Sequence, residues 1–259
     1  MNPLDKITDP SFTNSAKGLL TLFCIGAFHF IIGIDLIGKE ITIPWLPSIS
    51  FANTERLTYI YWSLVGFTMY RYTLHNATEI KKYYFLSLYN FLRTDKSGMT
   101  FINENIFSEG IVHQVELIHD ENSPPKITIK NYKHGDHDWE LMGNFSFQFT
   151  TSYSLDKIIY LEHPDYSLAS FKISDKLQKE KWGLTTFIDD DDGSESMESS
   201  YITDRKLRNS LHVHILSRYF KNLTSNKNIF DLLTPLLLNG ILFLICFITA
   251  MINTIPSHN

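Results

Sequence analysis

The sequence predicts a membrane protein of mixed α+β class. It should have an N-terminal transmembrane helical hairpin, a mostly antiparallel β domain in the cytosol, and a C-terminal transmembrane helix. Three observations carry that expectation. Residues 232–255 hold 24 positions without one charge, and about 20 apolar residues in a helix cross a hydrocarbon core of roughly 30 Å. Two more apolar runs lie near the N-terminus. Between these ends the chain is polar and alternates with a period of two, as half-buried strands do.

The first run, residues 18–38, lies between Lys17 and Lys39 and contains one acid, Asp35. The second, residues 57–74, contains one base, Arg71, placed where it can snorkel to headgroups. Tyr59, Tyr61 and Trp62 at one end and Tyr70 and Tyr72 at the other suit interfacial aromatic belts. A short connection with Pro44 and Pro47 makes the two runs an antiparallel hairpin. Gly26 and Gly33 offer small surfaces for close helix contact. Pro235 is a candidate kink in the third span. The expected boundaries are a tail at 1–18, the two-span hairpin at 19–74 with 39–56 as its external loop, the cytosolic domain at 75–228, and the last span at 229–255.

The N-terminus does not read as a signal peptide. Apolar character begins at Leu19, after Asp5 and Asp9, and no small-x-small site follows before Lys39. Lys and Arg near span ends set orientation. Lys81, Lys82 and Arg93 follow the second run, and Arg205, Lys206, Arg208, Arg218, Lys221 and Lys227 precede the third. The 39–56 loop has Lys39 and Arg56 alone. The middle is therefore expected in the cytosol.

Within the middle, residues 79–92 carry an imperfect helical stripe. Residues 100–106 and 111–118 alternate in part. Residues 126–132 alternate well, and residues 144–150 strictly, with Phe145, Phe147 and Phe149 on one face. Residues 157–161 and 167–173 complete the expected strands, and Gly183 with the acidic run from Asp189 ends the pattern. Leu207, Leu211, Ile215, Tyr219 and Leu223 recur every four residues, which predicts an amphipathic helix over 203–223 in preference to a strand through Val213.

Composition excludes several classes. A net charge of −5 on 259 residues gives no reason to expect nucleic acid. Cys24 and Cys246 both fall in apolar segments, so neither a disulfide framework nor a zinc site follows. No phosphate-binding loop, nucleophile elbow or kinase set is present. Neither a catalytic residue nor a cofactor is expected.

Each remaining cluster has a sharp and a plain reading. His134, His137 and Asp138, with Asp136 and Glu140, bear metal-ligand chemistry, but Gly135 marks a hairpin turn, where solvated polar residues are ordinary. Asp189, Asp190, Asp191 and Asp192 fail the spacing of a calcium loop, since Ile188 and Ser199 stand where acids are needed. They form either a self-repelling loop or a regulatory contact for the bases around Arg205 and Arg208. His212 and His214 would share a metal on a strand; on a helix they sit about 200° apart. His29, Asp35 and Asn239 are polar positions within apolar runs, and such groups mark a pathway or a packed interface.

Two functions compete on this evidence. One is an integral membrane effector or gated pore, of toxin or antiviral-defence type, in a bacterial inner membrane. Its cytosolic domain would sense a ligand and perturb the membrane. Three spans per chain would have to form a homo-oligomer to line a path. The other is a membrane-anchored scaffold or adaptor that recruits a cytosolic protein. The lipid bilayer is a partner in both.

Overall fold

The computed structural model describes residues 14–32, 40–41, 49–50, 55–107, 112–119, 123–134, 139–162, 176–188 and 195–254. Helix α1 (Asn14–Gly26) runs into a π-helical turn, Ala27–Ile31. Two short strands, β1 (Glu40–Ile41) and β2 (Ile49–Ser50), pair antiparallel. Helices α2 (Glu55–His75), α3 (Ala77–Thr94) and α4 (Lys96–Asn105) follow. Then come β3 (Val112–Ile118), β4 (Lys126–His134), β5 (Trp139–Phe149) and β6 (Leu155–Glu162). After them lie α5 (Lys179–Trp182), β7 (Thr185–Ile188), β8 (Glu195–Ser199), α6 (Arg205–Ser225) and α7 (Lys227–Thr254). The chain divides into two compact units. Residues 78–225 form an α+β unit, and the helices on either side of them in sequence form a helical unit.

The α+β unit is built on a six-stranded antiparallel sheet in the order β3-β4-β5-β6-β8-β7. Alternation decides its core face. Val115, Ile129, Phe145 and Tyr160 share one row across four strands, and Leu117, Ile127, Phe147 and Ile158 share the next. On the other face Glu116 pairs with Lys130 at 2.7 Å, and Lys157 with Glu198 at 3.1 Å. Helix α6 contributes the stripe read from the sequence: Leu207, Leu211 and Ile215 enter the same core as the sheet residues, and Tyr219 is buried too. Phe85, Leu88, Phe91 and Leu92 come from α3.

Trp182 ends the short helix α5 and is fully buried. Its ring meets Phe145, Phe147 and Phe101 at 4.9, 6.0 and 6.4 Å between centroids. Its indole N–H donates to the Asn105 carbonyl at 3.2 Å, which satisfies the one polar atom it carries into the core. Gly183 then takes φ +65°, the left-handed conformation that glycine adopts without strain, and turns the chain toward β7.

Three expectations need correction here. Residues 100–105 are helical, with Ile106 as the C-cap, not a strand. Phe101, Ile102 and Ile106 are all buried, a spacing one helix face can satisfy and one strand face cannot. Gly98 makes that helix possible: a Cβ there would stand 1.8 Å from the Phe91 carbonyl oxygen, so α4 packs backbone to backbone against α3. The sheet also continues beyond Gly183, where the alternation was expected to end. β8 pairs with β6 as well as β7, and non-local pairing stabilises these short strands. The expected strand at 167–173 lies outside the described residues.

The third correction concerns the N-terminal transmembrane hairpin. The first apolar helix that is described, Ala16–Ile31, is too short to count as a span. Its residues would rise about 24 Å. Helix α2 has 21 residues, but four tyrosines, Glu55, Arg56, Arg71 and several hydroxyls dilute its apolar character. Among the described residues, one helix is long and apolar enough to cross a membrane: α7, over Lys227–Ile252.

Candidate functional site

The metal-ligand reading of the β4–β5 turn gains no support. His134 is exposed at the end of β4 and meets Trp139 edge to face at 5.2 Å, while His137 and Asp138 lie outside the described residues. No group of three metal-ligating side chains occurs among the described residues. Asp189, Asp190, Asp191 and Asp192 also lie outside them; Arg205 and Arg208 are exposed in the first turns of α6. The two histidines of α6 diverge as helical spacing requires. His212 Nδ1 is hydrogen-bonded to the Tyr84 hydroxyl, and His214 stacks on Phe91 at 5.1 Å with rings 11° from parallel. Burial pushes the Tyr84 phenol up to about 12.

The pathway candidates separate in the same way. His29 sits half-buried in the π-helical turn, edge to face with Phe30 at 4.7 Å. Asp35 lies outside the described residues. Asn239 is fully buried, and its amide N–H₂ donates to two carbonyls, Leu19 of α1 at 3.0 Å and Pro235 of its own helix at 2.9 Å. Its Oδ1 has no hydrogen-bond partner. Helix α7 continues through Pro235.

Asn239 belongs to a set of three side-chain-to-backbone bonds that tie the helical unit together. The Tyr61 hydroxyl of α2 donates to the Leu22 carbonyl of α1 at 2.8 Å. The Tyr72 hydroxyl of α2 donates to the Leu232 carbonyl of α7 at 2.9 Å. With Asn239 to Leu19, every pair among α1, α2 and α7 carries one such bond. Gly26 sits at the closest approach, where a Cβ would stand 2.1 Å from the Tyr61 hydroxyl and 2.6 Å from Leu242. Six further hydroxyls turn onto their own helices: Thr21, Ser63, Thr68, Thr73, Thr234 and Thr249 each donate to the carbonyl four residues back. The sequence placed Tyr61 and Tyr72 in interfacial belts. Their spacing of 11, three helical turns on one face, was the signal for a shared inward role.

In the α+β unit, α4 and α6 flank a groove of about 670 Å³ lined by Lys96, Lys181, Lys206 and His214, with Glu104 and Asp204. Asp204 accepts from the Lys206 and Leu207 backbone N–H groups and so caps α6. The three lysines make no ion pair among the described residues. The groove is open and of mixed charge. Comparison with protein families, with curated proteins and with solved structures finds no match to this chain.

Proposed function

We propose that α7 holds this protein in a lipid bilayer and that the α+β unit works in the cytosol as a recruiting module, a membrane-anchored scaffold. The observation that carries this reading is the surface of α7. Ile241, Phe243, Leu244, Ile245, Phe247, Ile248, Met251 and Ile252 are all exposed, between 44% and 62%. A helix apolar on every side is stable in water only when buried. In lipid the same surface is solvated, and the backbone is satisfied within the helix. The three inter-helix bonds support anchoring over conduction, because Asn239, Tyr61 and Tyr72 spend their donors on carbonyls of neighbouring helices. The basic residues before α7 support a cytosolic α+β unit.

The direct test is fractionation. The full chain is expected to stay with membranes through alkaline carbonate extraction, and detergent is expected to release it. A full chain found in the soluble fraction refutes the anchor. A gated pore is the second reading, favoured by the unpartnered Oδ1 of Asn239. Depolarisation on expression that disappears in Asn239→Leu supports the pore. An unchanged potential, with a cytosolic protein that co-purifies and is lost on Lys96→Glu with Lys206→Glu, supports the scaffold.

A further inference from the structure

The core accounts for one face of α6 and leaves another unexplained. Leu207, Leu211, Ile215 and Tyr219 are buried. On the far side of the helix Val213, Leu216 and Phe220 are 63%, 45% and 52% exposed. Their spacing of three and four sets them in one row. A helix that serves only its core carries polar side chains there. Single apolar residues on a surface are ordinary, whereas an apolar row rimmed by charge marks a contact with a partner or a membrane.

The charge around the row points to the membrane. Helix α6 carries five bases and no acid in 21 residues, within a chain of net charge −5. Arg218 is turned to Asp95 at 2.9 Å. Arg205, Lys206, Arg208 and Lys221 are exposed and make no ion pair among the described residues. At about 100° per residue, Lys206 and Lys221 fall on one side of the row and Arg205 and Arg208 on the other, all within about 120° of its centre. Apolar side chains between two lines of bases suit a helix lying in the plane of a membrane surface. The apolar row enters the headgroup layer and the bases snorkel to it. Reach favours the same occupant. Phe220 stands seven positions before Lys227, where the apolar span begins. Seven residues extend at most about 25 Å. With α7 in a bilayer, the row is never farther than that from the end of the span.

We propose that the outer face of α6 docks on the anionic leaflet of the bilayer that holds α7. Val213, Leu216 and Phe220 enter the headgroup layer, and Arg205, Lys206, Arg208 and Lys221 meet lipid phosphates. The inference rests on the anchoring reading above. It adds a second attachment that depends on lipid charge and is weakened by salt, where the span depends on neither.

The test uses the full chain in phosphatidylcholine vesicles, with and without phosphatidylglycerol. Cys24→Ser and Cys246→Ser clear the background for single spin labels. These are placed by Ser217→Cys beside the row, by Ile248→Cys in α7 and by Lys157→Cys on the outer face of the sheet. Oxygen and a water-soluble nickel complex report whether each label lies in lipid or in water. With phosphatidylglycerol the label at 217 is expected to leave water, and without it to return. The label at 248 is expected in lipid and the label at 157 in water throughout. Each base near an anionic leaflet favours the bound state about fivefold, so Arg208→Gln with Lys221→Gln is expected to shift the label at 217 toward water about 25-fold. Both positions are exposed, so the variant keeps the core intact. A label at 217 in water on both vesicles, with 248 in lipid, overturns the inference and leaves the anchor standing. A label at 248 in water overturns both. A label at 217 shielded equally on both vesicles also overturns it, and dipolar broadening between labels then identifies a second copy as the cover.

Discussion

Helices α6 and α7 follow one another with a single residue, Asn226, between them, yet they solve opposite problems. Helix α6 buries one stripe, Leu207, Leu211, Ile215 and Tyr219, and turns Arg205, Lys206, Arg208 and Lys221 to solvent. Helix α7 buries Ile229, Asn239 and Leu242 and exposes apolar side chains over most of its second half. The first pattern is that of a helix stabilised by a protein core and water. In the second, the buried polar group is bonded inward and the oily groups face out, which is stable where the surroundings are themselves oily. The same contrast holds between the two units: charge pairs decorate the outer face of the sheet, and six serine and threonine hydroxyls in the helical unit donate to carbonyls of their own helices.

The sharpest way to break this comparison is to charge the exposed face of α7. In water, Leu244→Arg with Ile248→Arg would change stability by about 0.5 kcal/mol or less per site. In lipid each arginine costs about 2.5–3.5 kcal/mol near mid-helix. The double variant is expected to leave the carbonate-resistant membrane fraction, and full retention would end the anchoring reading. The matching experiment on the α+β unit is Trp182→Ala, expected to cost about 3–5 kcal/mol because it empties a fully buried indole site. Urea unfolding followed by circular dichroism measures it, and a loss under about 1 kcal/mol would mean that the ring stack does not organise the core.

Smaller effects sharpen the contrast. Tyr72→Phe removes one inter-helix bond and is expected to weaken the helical unit by about 0.6–1.7 kcal/mol in bilayer-like solvent. Stability in lipid discs reads it, with no change in the α+β transition. Arg218 pairs with Asp95 at 2.9 Å and also donates to the Thr94 hydroxyl at 3.1 Å. Arg218→Met is expected to cost about 1 kcal/mol in the α+β unit, part of it abolished by salt.

The pH response comes last. His113 titrates below its ordinary 6.5 in the folded unit. The unfolded chain therefore binds a proton first, and stability falls as pH drops through about 6.5. Tyr84 titrates near 12 in place of 10, so the unfolded chain loses its proton first and stability also falls as pH rises past about 10. Tm against pH should be a plateau with both shoulders, the acid one flattened in His113→Gln and the alkaline one in Tyr84→Phe.

Local pattern by itself determined the apolar character of α7, the strands through Ile127 and Ile129 and through Phe145, Phe147 and Phe149, and the helix carrying Leu207 to Tyr219. Each is written in composition or in a period of two or near four, and burial on one face enforces that period directly. Tertiary structure decided the rest. Residues 100–105 became part of a helix because Gly98 lets α4 lie against the Phe91 carbonyl, and the burial of Phe101 and Ile102 depends on the core they enter. Strands β7 and β8 exist because β6 offers an edge to pair with. Tyr61, Tyr72 and Asn239 look like ordinary polar interruptions of apolar runs until packing sets a carbonyl of another helix within 3 Å of each. Hydrogen-bond partners are fixed by where strands and helices come to rest, whereas oiliness belongs to each residue alone.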